Sequence, residues 1–191
     1  MEVERDMKKI LIVWIGVFLI FLVGCSKAKS QKEGAKESKK VAEITVDKCN
    51  IYTSPDSSSF IVAQAQQGDM FELEGEEIGY YKITMFSGEW RYVPKSAANS
   101  VKYRVSLPSD SVCRILWDTS GKIERQAMKE SDSKYPLQNK ITYNTEKDNI
   151  NNNIKYFRIL VDRYKLEMFR KYRIQPVVYK EILGWGLKKL G

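Results

Sequence analysis

Few side chains in this chain can do covalent or acid–base chemistry. Among its 191 residues there is no histidine, and the only thiols are Cys25, Cys49 and Cys113. Without histidine, the usual Ser-His-Asp and Cys-His arrangements cannot be assembled. A zinc site would have to use carboxylates and cysteines far apart in sequence, and no Gly-rich loop able to cradle a phosphate is present. Glu72, Glu74, Glu76 and Glu77 are the only dense carboxylates. Their place at the end of a strand-like run points to a solvated turn rather than to general acid–base work. The expectation is a protein that is not an enzyme and has no cofactor and no metal. Paired carboxylates are the one catalytic arrangement that the composition leaves open. Cys49 lies in a strand-like run and Cys113 among apolar helical neighbours, so both are expected as buried free thiols; a bridge between them is the alternative. Aromatic side chains are the other chemical resource. Tyr52, Tyr80, Trp90 and Tyr92 could line a binding groove, with Asp56 and Glu89 nearby, or be divided between core and surface.

Cys25 stands in a different setting. Lys8 and Lys9 precede Ile10 to Val23, fourteen residues with no charge. As a helix this run spans about 21 Å, against roughly 30 Å for a bilayer core, which suits an export signal better than a membrane span. Met7-Lys8-Lys9 makes a better signal start than Met1 to Asp6, which holds three acidic groups. The run ends in Leu22-Val23-Gly24-Cys25 and turns polar at once. This ending resembles the lipobox of bacterial lipoproteins. The resemblance implies a signal peptide over residues 1–24, a diacylglyceryl group on the Cys25 thiol, and a new amino terminus that is often acylated as well. Two or more acyl chains anchor firmly where one does not. The implied location is the cell envelope, lipid-anchored and facing the periplasm or exterior. Nucleic acid is therefore not an expected partner.

Residues 25–40 hold six lysines and two glutamates and, beyond the cysteine, only small or polar types, the composition of a flexible tether. From Val41 the composition becomes β-like. Strands are expected near Ala42–Val46, Asn50–Tyr52, Phe60–Ala65, Met70–Glu76, Tyr80–Thr84 and Glu89–Pro94, separated by Gly, Pro, Asp and Ser clusters. So many short strands over 41–100 suggest a small closed barrel. Cys49-Asn50-Ile51-Tyr52-Thr53-Ser54-Pro55, Gln67-Gly68-Asp69, Gly79-Tyr80-Tyr81-Lys82-Ile83 and Arg91-Tyr92-Val93 follow one another as the motifs of a bacterial SH3-like domain do. Residues 46–98 resemble that family, departing from its usual residues at Tyr52, Ser54, Tyr80 and Arg91-Tyr92. The resemblance implies binding of cell-wall peptides or protein segments.

Residues 101–191 show no family resemblance and carry nineteen basic and ten acidic groups, against four and nine in 41–100. Pro108-Ser109-Asp110 offers a helix start before Val112, Ile115, Leu116 and Trp117. Gly121 interrupts, and Lys122–Lys129 could continue the helix or begin a hairpin. Lys134–Asn153 reads as a loop. Ile154–Ile174 has apolar residues at spacings of three and four, and Val177 to Leu190 forms a last helix opened by Pro176. The basic residues have three possible uses: a solvated face, docking onto the acidic segment, or contact of the helices and Trp185-Gly186-Leu187-Lys188-Lys189 with an anionic membrane. The expected fold is thus α+β in several parts: an SH3-like β-barrel followed by a mainly helical basic region. The expected function is non-catalytic binding of a wall peptide or envelope protein from a membrane anchor. The alternative is an envelope accessory whose basic helices touch membrane or partner.

Overall fold

The computed structural model describes residues 38–136 and 143–191, with side chains from 148 onward in the second stretch. The expected signal peptide, Cys25 and most of the expected tether lie outside the described residues. Seven strands come first: β1 (Ser38–Ile44), β2 (Lys48–Tyr52), β3 (Ile61–Gln66), β4 (Met70–Glu77), β5 (Tyr80–Thr84), β6 (Trp90–Pro94) and β7 (Ala98–Arg104). A 3-10 turn over Lys95–Ala97 links the last two. Three helices follow: α1 (Asp110–Lys134), α2 (Tyr143–Lys171) and α3 (Tyr179–Leu190), the last entered through a 3-10 turn at Pro176–Val178. The class is α+β.

Every strand pairing is antiparallel, in the order β3-β2-β6-β5-β4-β1-β7. The ladder is open, with β3 and β7 at its edges, so the closed barrel expected from the strand count is not formed by hydrogen bonding. Strand β4 serves two partners. Its first residues, Met70 to Glu72, pair with β1, and Leu73 to Glu77 pair with β5. An irregularity between Leu73 and Gly75 marks the change. A strand that bends in this way turns one ladder across another, so that both inner faces share a core. That core contains Val41, Ile44, Ile51, Val62, Phe71, Ile83 and Val93, all essentially inaccessible. A second bulge lies opposite Ile51 and Tyr52, where Val62 is the extra residue in β3. It explains why Val62 and Ala63 are both buried in a strand that otherwise alternates.

Two boundaries differ from the sequence expectation. Strand β1 begins at Ser38, inside the stretch read as tether, and β7 crosses residue 100, where the pattern change had placed the end of the sheet region. Residues 38–44 and 98–104 pair along their whole length, Ser38 with Arg104 through Ile44 with Ala98. The helical expectations shift too. Helix α1 runs unbroken through Gly121, and Tyr143–Asn153, expected as loop, is the first part of α2.

The helices pack on the sheet within one compact unit, Lys36–Gly191. Small buried residues on α1, namely Ser120, Ala127 and Ser131, allow α2 to approach closely. Asn153 of α2 donates to Asp132 (2.9 Å) and to the Tyr135 carbonyl (3.1 Å), tying off the end of α1. Helix α3 lies against α1 at Gly186, where any Cβ would meet the Trp117 ring at 2.1 Å. Phe86 of the β5–β6 turn, Phe169 of α2 and Tyr179 of α3 form an aromatic cluster with centroids 5.1 to 5.9 Å apart.

The charge asymmetry of the sequence is resolved at this junction. Arg170 of α2 binds Asp69 in the β3–β4 turn at 2.7 Å, and Lys180 of α3 binds Glu72 at 2.8 Å and Glu74 at 3.2 Å. Glu181 of α3 binds Lys39 of β1 at 2.7 Å, and Arg158 of α2 binds Glu89. Arg163 and Arg170 also donate to the carbonyls of Val62 and Gln64 on the edge strand β3. They cover an edge that would otherwise invite pairing with another chain. Of the three uses open to the basic residues, docking onto the acidic sheet accounts for Arg158, Arg170 and Lys180.

Candidate functional site

Strand alternation decides which side chains can act together. In β6, Arg91 and Val93 turn into the core, leaving Trp90, Tyr92 and Pro94 on the outer face. Directly paired residues in an antiparallel ladder share a face. Tyr92 is paired with Tyr52 on one side and with Lys82 on the other. Tyr80 is paired with Pro94, and Trp90 with Thr84. Tyr52, Tyr80, Trp90 and Tyr92, the four aromatic residues expected to bind ligand, therefore stand on one face of β2, β6 and β5.

Three of them form a cluster. The Tyr52 and Tyr80 rings meet edge to face, with centroids 6.2 Å apart. Tyr92 reaches across the ladder to donate its hydroxyl proton to Glu77 at 3.1 Å. Burial, then the bond to Glu77 and its negative charge, push the Tyr92 phenol above its ordinary value. Tyr52 is nearly buried, while Tyr80 and Tyr92 are half-buried. Trp90 belongs to the same face but is differently engaged. It is 55 % exposed, and the Lys82 ammonium sits 3.4 Å from its ring centroid.

Asp56 and Glu89, expected near the groove, are otherwise employed. Asp56 closes its own turn by accepting from the Ser58 backbone at 2.8 Å and hydroxyl at 2.6 Å. The Ser58 hydroxyl, then its N–H, hold the Asp56 carboxyl below the usual range. Glu89 faces Arg158. Three members of the face escaped the sequence reading. Glu77 reads from sequence as part of a solvated turn, Lys82 has no role there beyond its place in the Gly79-to-Ile83 motif, and Ile78, 98 % exposed at the tip of the β4–β5 hairpin, has none. Alternation from Tyr80 and Tyr92 could have placed Lys82; the reach of Tyr92 to Glu77 needed coordinates.

A second concavity, of about 600 Å³, lies where Thr53, Ser54, Glu89 and Arg91 face Asn151, Ile154, Lys155 and Arg158 of α2. Arg91 in its lining is already engaged, donating to the buried Asp162 carboxylate and to the Trp90 carbonyl. Among the described residues, no three carboxylates or cysteines are grouped to hold a metal ion, and no helix is long and apolar enough to cross a membrane. Trp185, for which membrane contact was one of the readings left open, donates to Asp110 of α1 at 2.9 Å. No family model, no curated protein and no solved structure matches this chain.

Proposed function

We propose that this chain is a non-catalytic binding protein, anchored to the envelope membrane by lipid on Cys25, which presents an SH3-like sheet region to a cell-wall peptide or a protein partner. One observation carries the reading of the sheet: the four aromatic residues stand on one outer face, with Tyr52 buried, Tyr80 and Tyr92 half-buried and Trp90 exposed. Exposed tyrosine and tryptophan give large contact area at small entropic cost, which is why they concentrate in binding surfaces. The order of motifs along 46–98, and a β4 strand bent between two ladders, support the SH3-like reading. The lipid anchor rests on Leu22-Val23-Gly24-Cys25 alone.

The test is retention of the purified full chain on cell-wall sacculi in nonionic detergent. Saturable retention that Tyr80→Ala and Trp90→Ala each reduce at least about tenfold supports wall binding, since aromatic anchors commonly contribute that much. No retention, with one envelope protein captured instead through the same residues, moves the ligand to a protein. Retention or capture indifferent to both substitutions removes the aromatic face from the function. The anchor is checked separately: incorporation of a clickable fatty acid should vanish in Cys25→Ser. A role for the helices on anionic membrane would draw on exposed basic residues that the sheet does not engage, among them Lys122, Arg125, Lys129 and Lys188, the last beside exposed Leu187.

A further inference from the structure

We infer that the tyrosine cluster beside Glu77 receives the ammonium group of a lysine-type side chain on a peptide partner. This deepens the proposal that the aromatic face is the binding face, and it rests on that proposal. The first support is electrostatic. Strand β4 carries four carboxylates, and three are ion-paired: Glu72 with Lys39 and Lys180, Glu74 with Lys180, and Glu76 with Lys40 and Lys95. Glu77 differs, because its partner is the neutral Tyr92 hydroxyl. Among the described residues no lysine or arginine nitrogen lies within 4.0 Å of it. Its negative charge is thus held among aromatic rings without a balancing cation.

The second support is a precedent on the same face. Lys82 lays its ammonium 3.4 Å from the Trp90 ring centroid. Ring faces are negative, and cations are drawn to them most strongly where water is partly excluded. Tyr52, Tyr80 and Tyr92 offer three further rings, half-buried or more, with a carboxylate added. Aromatic rings around a carboxylate select a cation over a neutral group of the same shape. Ile78, almost wholly exposed at the adjoining hairpin tip, adds an apolar contact for the chain that carries the cation.

The test titrates the full chain, in a nonionic polyoxyethylene detergent, with acetylated and amidated Gly-Gly-Lys-Gly-Gly and with the same peptide bearing Nε-acetyl-lysine. Tyrosine ring chemical shifts report binding. The lysine peptide is expected to bind at least about tenfold more tightly than its acetylated form. Glu77→Gln, which keeps the shape and an acceptor for Tyr92, should abolish that preference while leaving the fold's spectrum intact. Equal affinities, a preference for the acetylated peptide, or a preference undiminished in Glu77→Gln would overturn the inference. If preference is absent but sacculi retention still depends on Tyr80, the binding face stands and the ammonium inference falls. If neither peptide binds and no retention or capture depends on the face, both fall.

Discussion

Residue chemistry in this chain is dominated by groups that burial quiets. Cys49 is 3 % exposed, and burial pushes its thiol up to about 11. Cys113 is also buried and also raised, first by burial and then by the negative charge of Asp110. Both are free thiols, one in β2 and one in α1. The thiolate is the reactive form, so at pH 8 on the order of one Cys49 in a thousand is ionised, and the sheet covers even that. Iodoacetamide at pH 8 should leave Cys49 and Cys113 unmodified in the folded protein and modify both in denaturant without reductant. Peptide-resolved mass analysis reads this. Modification of Cys49 in the fold would show that β2 opens. Failure to modify either cysteine in denaturant would reveal a bridge the structure does not contain.

At the scale of elements, one of the contacts that hold α2 on the sheet centres on a single buried carboxylate. Asp162 is inaccessible, and four bonds hold it. Its Oδ1 accepts from the Ser87 N–H at 2.7 Å, and Oδ2 accepts from the Ser87 hydroxyl and the Arg91 Nε and Nη2, each at 3.0 Å. Burial raises the Asp162 carboxyl despite these donors, of which the Arg91 charge opposes the rise most strongly. Removing the carboxylate leaves the Arg91 guanidinium buried without its counter-charge. Such losses cost about 3–5 kcal/mol. Asp162→Ala should therefore lower stability by roughly that amount in urea denaturation, and Asp162→Asn, which keeps shape and one acceptor, by less. Equal small effects would mean that the aromatic cluster of Phe86, Phe169 and Tyr179 holds α2 unaided. Nothing in the sequence singles out Asp162, since one acidic residue in a basic helix looks like solvated surface; only its match to Arg91, seventy-one positions away, gives it a role. Elements with their own periodicity were legible. Strand β5, Tyr80–Thr84, has the bounds its composition predicts, and the four aromatic residues were recognisable as a set. Strand β7 was not, because Asn99, Ser100, Lys102 and Arg104 give an edge strand the polarity of a loop. The first part of α2 was not, because its asparagines disfavour helix and its residues from 148 to 155 bury no face.

On the scale of the whole molecule, acidic sheet and basic helices are joined by ion pairs whose protonation adds a pH dependence to the junction. On the acid side, the Thr84 hydroxyl, and then Lys180, hold the Glu74 carboxyl below its ordinary 4.5. A carboxyl lowered in the folded state gives stability that is present above 4.5 and lost as pH falls through the folded value. On the alkaline side the sign reverses. Burial draws Lys39 and Lys180 downward, but the bonds and charges of Glu181 and Glu72 on Lys39, and of Glu72 and Glu74 on Lys180, carry both above 10.5. That contribution is complete below 10.5 and lost as pH rises through the folded values. All these groups lie where α3 meets β1 and β4, so both limbs of the pH profile should act on one junction. Hydrogen exchange of α3 amides, corrected for intrinsic rate, should accelerate as pH falls below 4.5 and as it rises above 10.5, before the β2–β3 and β5–β6 pairings respond. The partial exposure of these pairs keeps each contribution small, of order 1 kcal/mol or less, and raising ionic strength should weaken α3 protection at neutral pH in the same way. Lys180→Met should shrink the acid limb that runs through Glu74 without removing it, since the Thr84 hydroxyl stays, and leave the Lys39–Glu181 part of the alkaline limb in place. If α3 instead exchanges in step with the central strands at every pH, the ion pairs are ornaments on a junction held by Trp117 against Gly186 and by the Phe86–Phe169–Tyr179 cluster.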